Sequence, residues 1–462
     1  MKNSILYLFI LSGVIFFSCD DYLDVQPLGT VIPKEVADYR ALLDNVYAMR
    51  RAACSNTMYG SDDMYVPVGQ EGPFGLLRRT GDIDKKIYTW ADYITEVEET
   101  NDRDWQPMYQ QLYICNTVIN QIDVATGGSE DQKNILRGEA LVQRAYTYFF
   151  LVNLYGKQYD SKTADTDMGV PILTKPVLIG SLKRASVQEV YDLIFSDLEE
   201  GLKLLPETSS YNTRPNKMAV YALLARANLF IGNYKKARTY ADLVLKTNNF
   251  LYHLADFPKR TNHTVIFPPF LENKELILYK VVDGNTNGGR FSPSPELLSL
   301  YKPGDLRRTA RFHSFKLVDS NNLDIPVVSD RDPYYSGAPT TAEMYLIRAE
   351  ANVRMSKIQE AINDINELRK YRFDSAVDSK LTATTAQEAL RLVLEERRRE
   401  LAFLGFRWFD LKRLMKTGDF NKTITHVFLK ETYTLQPYSN RYVLPIPQKI
   451  IELNPEIEQN PR

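Results

Sequence analysis

This chain of 462 residues has no excess charge of either sign and very few cysteines. Its 57 basic and 58 acidic side chains give a formal net charge of −1. Nucleic-acid binding is therefore not expected, because it normally needs a basic surface or a high isoelectric point. The three cysteines, Cys19, Cys54 and Cys115, are too few for a disulfide framework. Cys54 and Cys115 are predicted either to form one bridge or to be two buried thiols.

Motifs for catalysis and metal binding are also missing from the sequence. It contains no HExxH, no Walker P-loop, no GxSxG elbow and no GxGxxG after a predicted strand. Asp62 and Asp63 would be half of a glycosidase pair, but the sequence shows no partner carboxylate at the separation that such enzymes need. The histidines lack metal-ligand spacing and are predicted to be lone surface residues: His253, His263, His313 and His426. We expect no enzyme, no metal and no cofactor.

The N-terminus has the pattern of a targeting segment. Lys2 precedes an apolar run from Ile5 to Phe17, which suits a secretory signal and is too short to span a membrane. Ser18 is the small residue that a signal peptidase needs before its cut, so Cys19 becomes the first mature residue and its thiol can carry lipid. A plain signal peptide with an incidental cysteine is the alternative. No later run is long enough to span a membrane, so the protein should be tethered rather than embedded.

Apolar residues recur at helical spacing through most of the mature chain, which predicts a mainly α-helical fold. The helix that ends before Gly156 is apolar almost all round and should be central and buried. Ser186 and Glu189 predict a capping box. The expected helical stretches are Val36–Arg51, Trp105–Asp123, Lys133–Tyr155, Ser186–Leu205, Lys217–Lys246, Pro295–Tyr301, Thr341–Arg372 and Ala386–Met415.

Two details of these helices are also predicted. The apolar face of the first helix is formed by Tyr39, Leu42, Leu43, Val46 and Tyr47. The charged run EERRRE at 395–400 is expected to be a solvated face or a set of intrahelical ion pairs, in preference to a phosphate or nucleic-acid site.

Two stretches resemble tetratricopeptide hairpins, in which small residues let two antiparallel helices pack closely. The first is 217–246, with a turn at Gly232, and the second is 341–372. Matching positions are Tyr221, Ala225, Ala227, Asn228 and Ala237 in the first, and Tyr345, Ala349, Ala351, Asn352 and Ala361 in the second. A segment with strand-like runs and loops, Phe250–Pro339, separates the two, so an uninterrupted solenoid is not expected.

Several stretches, in order along nearly the whole mature chain, resemble the SusD/RagB family of outer-membrane lipoproteins. One departure is Leu404 before Gly405, where many members carry an acidic residue. The matching stretches are CDDYLDVQP, the helix from Trp105, GEALVQRAYTYFFLVNLYG with GVPI, RASVQEVYDLIFSDLEEGL, the Ala-rich unit at 217–246, PTTAEMYLIRAEANVR, EERRRELAFLGFRWFDLKR and YVLPIP.

The resemblance implies an α-superhelical fold, with tetratricopeptide-like helical pairs on one face and a long irregular region with small β elements on the other. We expect a signal peptide at 1–18 and a lipidated acidic tether at 19–30. An N-terminal region with helical pairs at 31–250 and an insert plus C-terminal region at 251–462 would then pack as one globular unit.

The resemblance also implies a function without chemistry. Family members sit on the surface of the outer membrane, held by a lipid that Cys19 would carry here. They capture a glycan (an oligo- or polysaccharide) or another nutrient and deliver it to a SusC-like TonB-dependent transporter. The alternative is a tetratricopeptide-type scaffold on the outer membrane that binds proteins and has no glycan affinity of its own.

A glycan site needs an exposed aromatic surface and a few convergent polar groups. Loop aromatics are better candidates than helical ones, so Tyr65 and Trp90 are the predicted aromatic contacts. Asp63, Asp84 and Arg290 are the predicted hydrogen-bonding partners. Aromatic residues predicted to lie in the core instead are Trp105, Tyr146, Tyr148, Tyr191, Tyr221 and Tyr345.

Overall fold

A computed structural model describes most of the chain. The described residues are 33–51, 55–67, 82–95, 104–176, 181–258, 267–281, 292–316, 324–328 and 337–462. The predicted signal peptide, Cys19, Cys54 and Arg290 lie outside these residues. No helix in the described ranges is long and apolar enough to cross a membrane.

The described part of the chain is mostly helical, which confirms the predicted fold class. Its sixteen α-helices are α1 Val36–Leu43, α2 Val46–Met49, α3 Ser55–Gly60, α4 Asp82–Tyr88, α5 Trp105–Gln121, α6 Glu130–Tyr155, α7 Val187–Leu204, α8 Lys217–Phe230, α9 Tyr234–Thr247, α10 Pro295–Leu300, α11 Arg307–Arg311, α12 Thr341–Arg354, α13 Ile358–Lys370, α14 Ala386–Glu400, α15 Arg407–Lys416 and α16 Gln448–Leu453.

The strands are short and pair two by two in antiparallel ladders: β1 with β4, β2 with β3, β5 with β6, and β7 with β8. Their bounds are β1 Met64–Tyr65, β2 Met168–Pro171, β3 Arg184–Ser186, β4 Ser292–Pro293, β5 Phe312–Lys316, β6 Asp324–Val328, β7 Ile424–Phe428 and β8 Glu431–Leu435.

Helix α6 is the centre of the N-terminal half, as predicted. Nearly every residue from Leu136 to its end is buried, and it packs between α5 and α7. Ser129 forms a capping box at its start, which places the first residue at Glu130 rather than Lys133. Its approach to α7 is close because both helices have glycine there: a Cβ on Gly201 would lie 2.8 Å from Val142.

The two tetratricopeptide-like hairpins are α8–α9 and α12–α13, and they are neighbours in space. Helix α9 packs against α12, so the insert between the hairpins leaves the helical layer and returns to it. The small residues predicted at the packing positions are fully buried: Ala222, Ala225, Ala227, Ala237 and Ala241 in the first hairpin, and Ala349, Ala351 and Ala361 in the second. The spacing of small residues therefore predicted the packing correctly.

A buried ion pair joins the two hairpins. The Arg226 guanidinium of α8 donates to both carboxylate oxygens of Glu343 in α12, with Nε–Oε1 at 2.9 Å and Nη2–Oε2 at 2.6 Å. Arg226 Nη1 also donates to the Gly337 carbonyl at 2.9 Å. Both side chains are almost completely buried. A bidentate pair of this kind fixes the register between two helices that no continuous repeat connects.

The prediction of one helix over Val36–Arg51 is wrong in one respect, because the structure has two helices there, α1 and α2. Asn45 accepts a hydrogen bond from the Ala48 amide and starts a new helix, while Asp44 ends the previous one. The break changes which side chains face the core. Tyr39 and Leu43 are buried as predicted, but Tyr47 is 73% exposed instead of packing inside.

The charged run at 395–400 is also mostly buried, so a solvated face is wrong. Glu396 is fully buried and pairs with Arg307 at 2.6 Å, Arg369 at 2.7 Å and Arg399 at 2.6 Å. Only the pair with Arg399 is intrahelical. Helix α14 packs against α10, α12 and α13, so its charged face meets arginines from other elements rather than water.

Two smaller predictions concern the insert and the thiols. The strand-like run at 275–281 makes isolated bridges, Leu276 with Thr340 and Val281 with Arg51, rather than a regular strand. Cys115 is a free buried thiol, and burial raises its pKa to about 12, so it is inert at neutral pH.

Candidate functional site

Two of the predicted site residues, Asp63 and Tyr65, lie at the β1–β4 ladder. Tyr65 pairs with Ser292, two positions after Arg290 in the sequence. The Ser294 amide donates to the Asp63 carbonyl at 2.7 Å, which ties the turn before β1 to the same segment. The structure thus brings Asp63 and Tyr65 next to the point where the insert returns from Arg290, although Arg290 itself is outside the described residues.

Asp62 and Asp63 are held by arginines of α14 and α15. Arg407 donates to both oxygens of Asp62 at 2.7 Å, and Arg398 Nε donates to Asp63 Oδ1 at 2.7 Å. Burial opposes ionisation of Asp62, but Arg407 and Arg398 hold its pKa well below the ordinary value. Burial raises the pKa of Asp63. Both carboxylates therefore fasten the turn before β1 to the helical core.

Trp90 lies in the core, so its predicted exposure is wrong. It is 3% exposed, and its indole Nε1 donates to the Gly60 carbonyl at 3.0 Å. The His426 ring of β7 is sandwiched between Tyr88, with centroids 4.1 Å apart, and Trp90, with centroids 4.3 Å apart. Strand β7, which lies far along the chain, therefore covers the face of the Trp90 ring on which a sugar would have to stack.

His426 is buried, which contradicts its prediction as a surface residue. Its Nδ1 lies 2.8 Å from the Tyr88 carbonyl, so Nδ1 carries the proton and donates it. Burial lowers its pKa to about 4, so the ring is neutral at pH 7. A neutral ring between two aromatic faces is a packing element, and His426 lies on the same buried face of β7 as Ile424 and Phe428.

The remaining predicted residues differ in accessibility. Asp84 of α4 is fully buried, which separates its carboxylate from any ligand at the surface. Tyr65 is half-buried and is the one predicted aromatic residue with an accessible ring. Ligand contact by the five predicted residues stays a prediction. Trp105 and the helical tyrosines are buried or half-buried, as predicted.

The burial of Trp90 predicts a structural effect of its removal. Trp90→Ala should lower the free energy of unfolding by about 3–5 kcal/mol, because it leaves a large cavity beside His426. Urea titration followed by circular dichroism measures this loss. Tyr93→Ala is the matched control: Tyr93 is 60% exposed, so its replacement should change stability by less than about 0.5 kcal/mol. A Trp90→Ala protein of wild-type stability that had lost ligand binding would instead make Trp90 a ligand contact.

Comparison with known proteins identifies the family. A family profile described as starch-binding and associating with the outer membrane matches residues 21–229. The profile of the SusD family matches residues 311–462. The chain belongs to the SusD/RagB family. The two matches lie in the N-terminal and C-terminal halves of the chain, so the family assignment does not depend on one half.

SusD/RagB relatives align over almost the whole chain. Two SusD-like proteins of Formosa agariphila are each 24% identical, over 99% of this chain and 99% of the first relative, and over 98% of this chain and 97% of the second. A SusD superfamily structure from Bacteroides thetaiotaomicron has a TM-score of 0.71 at 21% identity, covering 93% of this chain and 100% of its own. A SusD-like carbohydrate binding protein from Bacteroides vulgatus has a TM-score of 0.65 at 20% identity, covering 92% and 97%.

Exposed aromatic side chains that could stack on a sugar lie elsewhere among the described residues. They are Tyr47, Tyr93, Tyr113, Tyr211, Phe250 and Tyr438. Sequence reasoning missed Tyr47 because it followed one helical period through Asn45. The signal that would have found it was Asn45 itself, which is a favoured N-cap residue and predicts a new helix start.

Proposed function

We propose that this protein is a surface-exposed, lipid-anchored outer-membrane protein that binds a glycan and delivers it to a SusC-like TonB-dependent transporter. The observation that supports this most strongly is the match to SusD profiles in both halves of the chain, at residues 21–229 and 311–462. The first profile is described as starch-binding and associating with the outer membrane, and one structural neighbour is named a carbohydrate binding protein.

The structure supports binding rather than catalysis as the proposed activity. In the described ranges, no group of three or more histidine, cysteine or acidic residues is placed to hold a metal ion. The candidate carboxylates Asp62 and Asp63 are each paired with an arginine, and their side chains are only 9% and 2% exposed, so neither is presented to a substrate. A rigid helical base that carries irregular segments suits a protein that captures a ligand and passes it on.

The anchor in this proposal is a lipid on Cys19. The described structure begins at Pro33, so 13 residues separate it from Cys19. A fully extended segment of that length spans at most about 45 Å. A lipid on Cys19 would therefore hold the described part of the protein within about that distance of the membrane surface.

Replacement of the lipidation residue tests the anchor. Cys19→Ala should release the protein from the membrane fraction and abolish labelling by a palmitate analogue, because one thiol is the only attachment point proposed. Cell fractionation with immunoblotting measures the release. Cys115→Ala is the control and should stay membrane-bound. A Cys19→Ala protein that is still lipid-labelled and membrane-bound would overturn the anchor.

A panel of native affinity gels tests the binding function. Gels that contain plant, host or microbial polysaccharides should retard the mature protein in at least one case. The protein should release no reducing sugar from the same glycans on prolonged incubation. Association with a transporter without retardation by any glycan would favour the scaffold alternative, and steady release of reducing sugar would make the protein a glycosidase.

A further inference from the structure

An open groove of about 610 Å³ lies beside helix α5. We call it the α5 groove. Three segments of the chain line it, and their residues include Tyr109, Tyr113, Leu173, Lys175, Ile450 and Asn454. Its volume falls within the range of about 300–1,000 Å³ that is typical of sites for small ligands. None of these residues is among the five predicted ligand contacts, so the groove is a separate candidate.

Hydrogen bonds from the helices hold the second of these segments in place. The Tyr109 hydroxyl donates to the Pro171 carbonyl at 3.0 Å, and the Asn116 side-chain amide donates to the Leu173 carbonyl at 2.8 Å. The Leu173 carbonyl also accepts from the Tyr148 hydroxyl of α6 at 3.0 Å. The α5 groove therefore has a fixed shape before a ligand arrives, which reduces the free energy lost to ordering on binding.

Two tyrosine rings follow each other along the α5 groove. Tyr109 and Tyr113 are four residues apart in α5, which places them on the same helix face with an axial separation of about 6 Å. Tyr113 is 47% exposed. Tyr109 is half-buried, and its ring packs against Trp105 with centroids 4.8 Å apart. The groove therefore offers one accessible ring and one fixed ring, and the C–H face of a sugar can stack on such rings.

The polar side chains of the α5 groove are almost all uncharged amides. They are Gln106, Gln110, Asn116 and Asn454, and Lys175 is the single charged side chain among the described residues that line the groove. An amide both donates and accepts hydrogen bonds, as a hydroxyl does. A hydrocarbon ligand would not use these amides. An anionic glycan would meet one lysine instead of the arginines that bind carboxylate or sulfate in a bidentate way.

We propose that the α5 groove binds a segment of an uncharged glycan chain, built from neutral hexose or pentose units. Tyr113 stacks on the C–H face of one sugar, and Tyr109 contacts the next sugar along the chain. Asn454 Nδ2 donates to the Ile450 carbonyl at 2.9 Å, so Asn454 Oδ1 is the atom that accepts from a sugar hydroxyl. This inference rests on the proposed function, and it names the class of glycan and the surface that holds it.

Affinity gels and calorimetry with neutral and acidic glycans test the class of ligand. The neutral probes are starch, laminarin, galactomannan and arabinoxylan, and the acidic probes are polygalacturonate and carrageenan. The wild-type protein should bind at least one neutral probe and bind the acidic probes more weakly. Its affinity for the neutral probe should change little as NaCl is raised, because salt screens interactions between charges.

Substitutions locate the binding surface. Tyr113→Ala should weaken binding of the neutral probe by about tenfold or more, which is about 1.4 kcal/mol. Tyr113→Trp keeps an aromatic surface and should restore most of the affinity. The matched control is Tyr211→Ala, because Tyr211 is 49% exposed and does not line the α5 groove, and it should bind like the wild type. Thermal melting confirms that each variant is folded.

The outcomes separate this inference from the proposed function. Wild-type affinity of the Tyr113→Ala protein for the neutral probe, or binding of acidic glycans alone, would overturn the inference and leave the proposed function intact. Loss of association with a transporter or with a second copy of the chain, while glycan binding is unchanged, would assign the α5 groove to a protein partner and also overturn the inference. Absence of wild-type binding to any glycan would overturn the proposed function, and the inference with it.

Discussion

Arg226→Ala or Glu343→Ala should destabilise the folded protein by about 3–5 kcal/mol, because each change leaves the opposite charge buried without its partner. The pair joins α8 to α12, the first helices of the two tetratricopeptide-like hairpins. Arg226 also stacks over Phe406, at 4.6 Å from the ring centroid, so the loss extends to the contact with α15. Urea titration measured by circular dichroism gives the free energy of unfolding.

A double substitution separates the charge from the shape of this pair. Arg226→Met combined with Glu343→Leu removes both charges and keeps most of the apolar contact, so it should destabilise less than either alanine variant. If each alanine variant were as stable as the wild type, the pair would not hold the hairpins together. A double variant less stable than both single variants would show that the charges themselves provide net stability.

Glu396→Gln should have an effect of similar size, about 3–5 kcal/mol, because it removes one carboxylate from among three buried arginines. The partners are Arg307, Arg369 and Arg399. Glu395→Gln is the matched control. Its carboxylate is one residue away, partly exposed and paired with Arg391, so its replacement should cost less than about 1 kcal/mol.

The pH dependence gives this prediction a second readout. Burial opposes ionisation of Glu396, but Arg307, Arg399 and Arg369 hold its pKa far below the ordinary value. A carboxyl group with a lowered pKa in the folded state stabilises the protein above its unfolded pKa, near 4.3, and loses this contribution as the pH falls further. The Glu396→Gln protein should therefore lose less stability than the wild type below about pH 4. Parallel profiles for the two proteins would contradict the assignment.

The sequence predicted those parts of the fold that depend on local pattern. Helix α6, the capping box at Ser186 and the Ala-rich hairpins follow from periodicity, caps and small residues within one stretch. These signals are local because a helix satisfies its own backbone hydrogen bonds. The family resemblance added the expected arrangement of these helices in an α-superhelical fold, which periodicity alone does not determine.

The wrong predictions concern residues whose burial depends on partners that are far away in the sequence. Trp90 is in an irregular segment and looks exposed, but the ring of His426 covers it; the same ring contacts Tyr88 across 338 residues of sequence. The charged run at 395–400 looks solvated until Arg307 and Arg369 pack against it. Local pattern contains no information about such partners.

The candidate site shows the same contrast between local sequence patterns and contacts made by distant residues. The pairing of Tyr65 with Ser292 joins two segments far apart in the sequence, and no local pattern in either segment predicts it. The exposure of Tyr47 was missed because it depends on the break between α1 and α2 at Asp44 and Asn45. The break shifts the helical phase. As a result Tyr47, which was predicted to lie in the core, lies at the surface.

Titration calorimetry of the mature wild-type protein against the glycan that retards it in gels tests the central claim most directly. The account predicts saturable heat with a defined stoichiometry. Absence of saturable heat with every neutral and acidic glycan, from a protein that is folded and still associates with a transporter, would contradict the claim that this chain binds glycans.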